Sequence, residues 1–218
     1  MVYGGDWIQT GKKAKSGRMG QSTDTALIDG TEPGEKEASY TTFGAKIASE
    51  GEASPAYLAN RGLTGWEIAH CFEFPGYVRL SNTANSSGNM YGVLTTPKLT
   101  ALSGPTSITL TFDAVRFAST SDIPVKVLGA GTIKTASVRI EEGTAETAIT
   151  PAADGQSIAI TSTHCPKHGN EEFKKWSCFT LTIDGATAET QIRWDTTGVG
   201  AESKDGRICL DNIVIRKN

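Results

Sequence analysis

The stretch Gly206-Arg-Ile-Cys-Leu-Asp-Asn-Ile-Val-Ile215 decides the fold class of this 218-residue chain. It is an apolar run, rich in β-branched residues and broken by one Asp-Asn pair, which is typical of a buried strand. A carboxylate in a buried strand must be paired, hydrogen-bonded or bound to a cation, because burying it alone is costly. The sequence therefore predicts that Asp211 is either a structural residue or a cation ligand.

Strand patterns of the same kind recur along the preceding sequence. Residues 107–114 alternate, with Ile108, Leu110 and Phe112 on one face and Thr or Asp on the other. Shorter strand patterns occupy residues 77–80, 125–127, 136–140, 158–160, 179–183 and 190–194. About eight to ten short strands, with no amphipathic helix between them, predict an all-β fold. We expect a two-sheet antiparallel β-sandwich of the jelly-roll type, with little or no helix.

Domain organisation follows from where these patterns begin. Residues 1–60 are rich in Gly, Lys and Glu and are predicted to form loops and edge strands, whereas residues 63–216 carry the core strands. No shift in composition marks a second domain, so we expect a single domain over residues 1–218. The first residues show neither the charged nor the apolar region of a signal peptide. We expect a secreted or cell-surface protein whose signal has been removed from this sequence.

Charge and hydropathy disfavour two classes of partner. The formal net charge is −3, which disfavours a nucleic-acid binder that relies on neutralising phosphates. No apolar run reaches the roughly 18 residues needed to cross a bilayer.

Signatures of catalysis are missing from the sequence. It contains no Gly-x-Ser-x-Gly elbow, and it lacks the Glu-x-Asp-x-x-Glu strand motif of jelly-roll β-glucanases. The adjacent pairs Glu141-Glu142 and Glu171-Glu172 would point to opposite faces of a strand, so neither forms a convergent carboxylate pair. These observations favour a protein that is not an enzyme.

The sequence contains four cysteines, for which buried thiols, a disulfide bond and a zinc site are the three interpretations. Cys71 and Cys209 lie in apolar segments and are predicted to be buried thiols. Cys165 and Cys178 flank a polar insertion, where a disulfide bond is the more reasonable expectation. With His164 and His168 these two cysteines could form a zinc site, but their spacing matches no common zinc pattern, so we favour a polar loop.

Aromatic residues beside loops are candidates for stacking on sugar rings. Trp7, Tyr57, Tyr91 and Trp176 are the candidates for such a platform, with half-buried packing as the alternative. Trp66 and Trp194 belong to apolar strand patterns and are expected in the core.

The order of these motifs resembles the secreted jelly-roll domains of bacterial surface proteins. The resemblance is to the cleaved-adhesin and choice-of-anchor-J type, a galactose-binding-like β-sandwich. It covers about residues 63–216 and is carried by Gly65-Trp66, Gly76-Tyr-Val-Arg-Leu80, Gly92-Val-Leu-Thr-Thr-Pro-Lys-Leu99, Ile108-Thr-Leu-Thr-Phe-Asp-Ala114, Trp176 with Ile183-Asp-Gly-Ala186, Thr190-Gln-Ile192 and Arg207-Ile-Cys-Leu-Asp-Asn-Ile213.

Two expectations follow from the resemblance. Such domains serve as adhesion or carbohydrate-binding modules, which implies a non-catalytic module that binds a glycan or another cell-surface ligand. Many carry a structural calcium ion held by the acidic residue of the closing strand, a position that Asp211 matches. Asp6 and Glu73 are the further candidate calcium ligands, together with loop carbonyl oxygens.

Two other functional classes stay open at this point. One is a glycoside hydrolase or other polysaccharide-active enzyme on the same fold, which a convergent carboxylate pair in a cleft would favour. The other is a structural spacer or assembly domain, which the lack of both a cleft and exposed rings would favour.

Overall fold

The computed structural model describes residues 63–74, 77–85, 88–116, 121–140, 144–165, 176–197, 199 and 207–218. These residues form strands and no helix, as predicted. The strands are β1 (Glu67–Ala69), β2 (Cys71–Phe74), β3 (Tyr77–Leu80), β4 (Asn82–Asn85), β5 (Gly88–Tyr91), β6 (Val93–Thr95), β7 (Thr106–Arg116), β8 (Ile123–Leu128), β9 (Thr132–Arg139), β10 (Thr147–Ile149), β11 (Ser157–Ile160), β12 (Ser177–Ala186), β13 (Gln191–Asp195) and β14 (Ile208–Lys217). The predicted loops and edge strands of residues 1–60 lie outside this part.

Two antiparallel sheets make up the sandwich. The five-stranded sheet has the order β1-β6-β13-β8-β11, and the seven-stranded sheet has the order β10-β9-β12-β7-β14-β3-β2. Strands β4 and β5 form a separate two-stranded ribbon. From β6 to β9, and again from β10 to β14, each successive strand lies in the other sheet, as in jelly rolls. The predicted two-sheet antiparallel β-sandwich is therefore confirmed.

The core lies between the inner faces of the two sheets. Alternation in β7 buries Ile108, Leu110 and Phe112, as the sequence predicts. Phe112 stacks on Phe179 of β12 with ring centroids 4.8 Å apart, and Trp194 of the five-stranded sheet meets Phe112 edge-on at 5.2 Å. Trp194 is fully buried, which confirms its predicted place in the core, whereas Trp66 is only partly buried against the core. These rings join the two layers across the sandwich.

The closing strand β14 lies between β7 and β3 and carries a bulge between Asp211 and Val214. Asn212 adopts φ 48° there, and Asn is among the few non-glycine residues that tolerate this left-handed backbone. Asp211 is buried, as predicted, and its Oδ1 accepts a hydrogen bond from the Asn212 backbone N–H at 2.7 Å. The bulge therefore supplies a backbone donor to the carboxylate that interrupts the apolar run.

The structure corrects the expectation of a disulfide bond. All four cysteines are free thiols. The Cys165 thiol is buried beside the Arg116 backbone N–H and the Ser177 side chain, and burial raises its pKa to about 12. Cys178 lies on the outer side of the seven-stranded sheet, in register with Asp113, and is only partly buried. The two cysteines thus belong to different surroundings. Cys71 and Cys209 are buried thiols, as predicted.

Candidate functional site

The aromatic and acidic residues singled out from the sequence fall into two groups. Trp7, Tyr57 and Asp6 lie outside the described residues, so they stay predictions. Tyr91 and Trp176 are both half-buried. Tyr91 leads into β6 of the five-stranded sheet, whereas Trp176 directly precedes β12 of the seven-stranded sheet. The backbones of these two residues therefore lead into different sheets.

The candidate calcium ligands are also separated along the sheet. Glu73 pairs with Val78, which pairs with Leu210, so the Glu73 backbone lies in the row of Leu210 rather than in that of Asp211. Asp211 instead pairs with Asp113 of β7. Among the described residues no three His, Cys, Asp or Glu side chains gather into a metal-binding group. Calcium needs about six to eight oxygen ligands, so a site at Asp211 would also need oxygen atoms other than these carboxylates.

The alternative of a zinc site formed by His164, Cys165, His168 and Cys178 likewise has no support from those of its residues that the structure describes. The Nδ1 atom of His164 lies 3.2 Å from the carbonyl oxygen of Ala159, a contact within the local turn. His168 lies outside the described residues.

A row of polar side chains crosses the outer face of the five-stranded sheet, and we call it the charged strip. Its members are Glu67 of β1, Thr95 of β6, Arg193 and Asp195 of β13, and Lys126 of β8. Glu67 pairs with Thr95, Thr95 with Arg193, and Arg193 with Lys126, so four of the five share one cross-strand row. Residues directly opposite each other in antiparallel strands point to the same face, so the row lies on one side of the sheet. On that side Glu67, Arg193 and Lys126 are at least partly exposed, whereas Thr95 and Asp195 are buried among them.

The side chains of the charged strip face outward because the alternate positions of the same strands are buried in the core. In β13, Ile192 and Trp194 are fully buried between the sheets, which directs Arg193 to the outer face. In β8, Val125 and Val127 are buried, which directs Lys126 outward in the same way. Packing of the apolar residues therefore sets the direction of the charged ones.

Arg193 is held in a defined orientation by two contacts. Its Nε donates to Thr95 Oγ1 at 2.9 Å, and its Nη2 donates to Glu67 Oε2 at 2.9 Å. The Arg193 side chain is 32% exposed and that of Glu67 is 58% exposed. A guanidinium fixed on one side in this way presents its remaining N–H groups to solvent in a rigid plane.

Lys126 and Asp195 form the second ion pair of the strip. Lys126 Nζ lies 3.2 Å from Asp195 Oδ2, and Asp195 Oδ1 accepts the backbone N–H of Thr197 at 2.8 Å. Burial acts to raise the pKa of Asp195, but hydrogen bonds from Thr197 and Lys126 outweigh it and hold that pKa below its ordinary value. Asp195 is therefore ionised at neutral pH.

Tyr91 lies at the Asp195 end of the strip. It directly precedes Gly92, whose carbonyl oxygen accepts the backbone N–H of Thr196 at 2.9 Å. At the other end, Gln191 donates from Nε2 to the carbonyl oxygen of Thr96 at 2.8 Å. The strip is thus flanked by the amide of Gln191 on the same sheet and by Tyr91, the last residue of β5 in the two-stranded ribbon.

Sequence analysis identified Tyr91 but missed the members of the charged strip. Glu67, Lys126 and Arg193 are each visible in the sequence as a charged residue between two apolar ones. The sequence does not show that these residues lie close together in space, since the contact between Arg193 and Glu67 joins residues 126 positions apart. Only the register of β1, β6 and β13 brings them together.

No protein-family profile matches this sequence, and neither does any curated protein sequence. Several solved structures show a distant likeness, and two of them are described here. One is described as "CBM4 structure and function", with 14% identity, a TM-score of 0.36, and 71% of this chain and 95% of the other covered. The second is a cleaved adhesin domain of Lys-gingipain from Porphyromonas gingivalis w83. It shows 14% identity and a TM-score of 0.33, with 65% of this chain and 74% of the other covered.

Proposed function

We propose that this protein is a non-catalytic binding module of a secreted or cell-surface protein, and that it binds a glycan on the charged strip. The observation that carries the proposal is the fixed orientation of Arg193 between Thr95 and Glu67 on an exposed sheet face. The resemblance of residues 63–216 to adhesion and carbohydrate-binding domains supports the same class of function.

A sugar offers many hydroxyl groups, each of which donates and accepts hydrogen bonds. The strip offers matching groups: N–H donors on Arg193 and Lys126, and carboxylate acceptors on Glu67 and Asp195. Because contacts within the strip already order these side chains, binding loses less side-chain entropy than it would with free ones. Tyr91, at the end of the strip, is the aromatic residue proposed to pack against a sugar ring.

The pKa of Asp195 makes this residue unsuited to be the general acid of a glycoside hydrolase. A glycoside hydrolase needs a general acid whose pKa is raised, so that it holds a proton at working pH. The pKa of Asp195 is instead lowered, and its oxygens already accept hydrogen bonds from Thr197 and Lys126. Asp195 is therefore suited to accept hydrogen bonds from a ligand and unsuited to donate a proton.

The test is a glycan array with and without calcium, followed by calorimetric titration of the glycans that bind. We expect Arg193→Gln and Tyr91→Ala each to weaken binding by about tenfold or more, the loss that about 1.4 kcal/mol produces. Lys134→Gln is the matched control, because Lys134 forms an ion pair with Asp184 at 3.3 Å on the seven-stranded sheet. Thermal unfolding of each variant checks that the fold is kept.

Two results would overturn the proposal. One is binding by Arg193→Gln and Tyr91→Ala at wild-type strength, which would remove the strip from the site. The other is release of reducing ends from a bound polysaccharide, which would establish the hydrolase alternative instead.

A further inference from the structure

Two cations face each other at the centre of the charged strip. Arg193 and Lys126 are directly opposite in the antiparallel pairing of β13 and β8, and both point to the outer face. Like charges in this arrangement destabilise a sheet, since cross-strand neighbours on one face lie about 5 Å apart at Cβ. The pairing of β13 with β8 therefore places two cations side by side on the outer face, each of which also contacts one carboxylate of the strip.

The carboxylates of the strip do not lie between these two cations. Glu67 is two strands from Arg193, beyond Thr95, and Asp195 lies two residues farther along β13. Arg193 uses Nε and Nη2 for its contacts within the described residues, and Lys126 contacts Asp195 there. The Nη1 group of Arg193 and two of the three N–H groups of Lys126 have no acceptor in that part of the chain.

We infer that Arg193 and Lys126 form a binding site for an oxyanion carried by a sugar, so that the glycan bound on the strip is an acidic one. This inference rests on the proposed function and adds the chemical class of the ligand. An oxyanion is either the carboxylate of a uronic acid or the sulfate ester of a sulfated sugar. Both accept charge-assisted hydrogen bonds from a guanidinium and an ammonium group.

The charge balance of the strip limits what kind of anion it selects. Two cations and two carboxylates give it no net charge, and the whole chain carries −3. Long-range attraction to a polyanion such as nucleic acid is therefore weak. Recognition depends instead on short contacts to one anionic group held between Arg193 and Lys126, within a ligand that also uses the neighbouring polar groups.

The experiment compares glycans that differ only in charge. Calorimetric titration uses polygalacturonate, the same polymer with its carboxylates methyl-esterified, and a sulfated galactan beside its unsulfated form. We expect at least one acidic polymer to bind about tenfold or more tightly than its neutral partner, because charge-assisted hydrogen bonds are the stronger class. Lys126→Gln should abolish that preference, and added salt should weaken binding to the acidic polymer.

Lys134→Gln is again the control, since its ion pair with Asp184 matches that of Lys126 with Asp195 in length. Tighter binding of polygalacturonate than of its methyl ester indicates that the bound oxyanion is a carboxylate. Tighter binding of the sulfated galactan than of its unsulfated form indicates that it is a sulfate ester. Equal binding of charged and neutral forms, or a charge preference that Lys126→Gln leaves intact, overturns the inference while the proposed glycan binding stands. Binding to no glycan on the array overturns both.

Discussion

Asn212 on β14 donates a hydrogen bond from its side-chain amide to the Asp113 carboxylate on β7, with an Nδ2–Oδ2 distance of 2.8 Å. The same residue gives its backbone N–H to Asp211. One left-handed residue in the bulge thus contacts the carboxylates of two aspartates that are paired across the strands. In the Asp-Asn pair that interrupts the apolar run, Asn212 thus supplies the hydrogen bond that stabilises the carboxylate of Asp211 in a central strand.

Substitutions at Asn212 should separate the contribution of its left-handed backbone conformation to stability from the contribution of its side-chain hydrogen bond. Asn212→Gly keeps the backbone conformation and removes the amide, so we expect a loss of about 1 kcal/mol in the free energy of unfolding. Asn212→Val places a β-branched residue at positive φ and should cost about 1–3 kcal/mol more. Urea unfolding at neutral pH measures both. Equal stability of the two variants would show that backbone conformation does not limit this position.

We propose calcium as a structural ion at Asp211, and chelation tests it. Wild-type protein should lose melting temperature in a chelator and regain it with added calcium, because an ion bound only by the folded state stabilises it. Asp211→Ala should lose this response and about 1–3 kcal/mol of stability, since the Asn212 N–H loses its acceptor.

The other outcomes for Asp211 are equally informative. If Asp211→Ala is destabilised and chelation leaves the wild type unchanged, Asp211 is a hydrogen-bonded structural residue without calcium. If Asp211→Ala melts like the wild type in both conditions, both roles are wrong.

Two glycines should respond differently to the same added methyl group. A Cβ on Gly92 would lie 2.6 Å from the backbone nitrogen of Ser81 and 2.7 Å from its oxygen, and backbone atoms cannot move aside cheaply. We expect Gly92→Ala to cost about 2–3 kcal/mol. Gly104→Ala meets no atom within 4 Å and should change stability by less than about 0.5 kcal/mol. Chemical denaturation of both variants checks the prediction, which equal losses would contradict.

His70 should make the protein less stable in mild acid. Burial, with the guanidinium groups of Arg207 and Arg79, lowers the pKa of His70 from 6.5 to about 4. Between these values the unfolded chain binds a proton that the folded chain does not, so stability falls as pH drops from about 6.5 to about 4. A pKa lowered from 6.5 to about 4 corresponds to about 3 kcal/mol, and solvent screening reduces the expected loss across this window to about 2 kcal/mol.

Asn at position 70 isolates this effect, because it does not titrate and tolerates the φ of 44° found there. The melting temperature of the wild type should fall relative to that of His70→Asn as the pH drops from about 6.5 to about 4, with His164→Asn as a control for removing a histidine elsewhere. Parallel pH profiles for wild type and His70→Asn would contradict the prediction.

Several features of this protein follow from its sequence alone. The alternation of Ile108, Leu110 and Phe112 with polar residues sets the inner face of β7, and the apolar run around Asp211 sets a buried closing strand. Local patterns suffice here because side chains of a strand alternate between faces whatever the strand pairs with. Burial of Trp194, Cys71 and Cys209 follows from the same pattern, and the absence of helix in the described residues follows from the spacing of the strands.

The grouping of the charged-strip residues depends on the tertiary structure and cannot be predicted from the sequence alone. Glu67, Lys126 and Arg193 are each ordinary outward residues in the sequence, and nothing local predicts that they share one cross-strand row. Their contact depends on which strands pair and in which register, and a shift of one residue would turn Arg193 into the core and Trp194 outward. The same reason explains the cysteines: sequence spacing placed Cys165 and Cys178 beside one loop, whereas the packing of the sheets sets them in different environments.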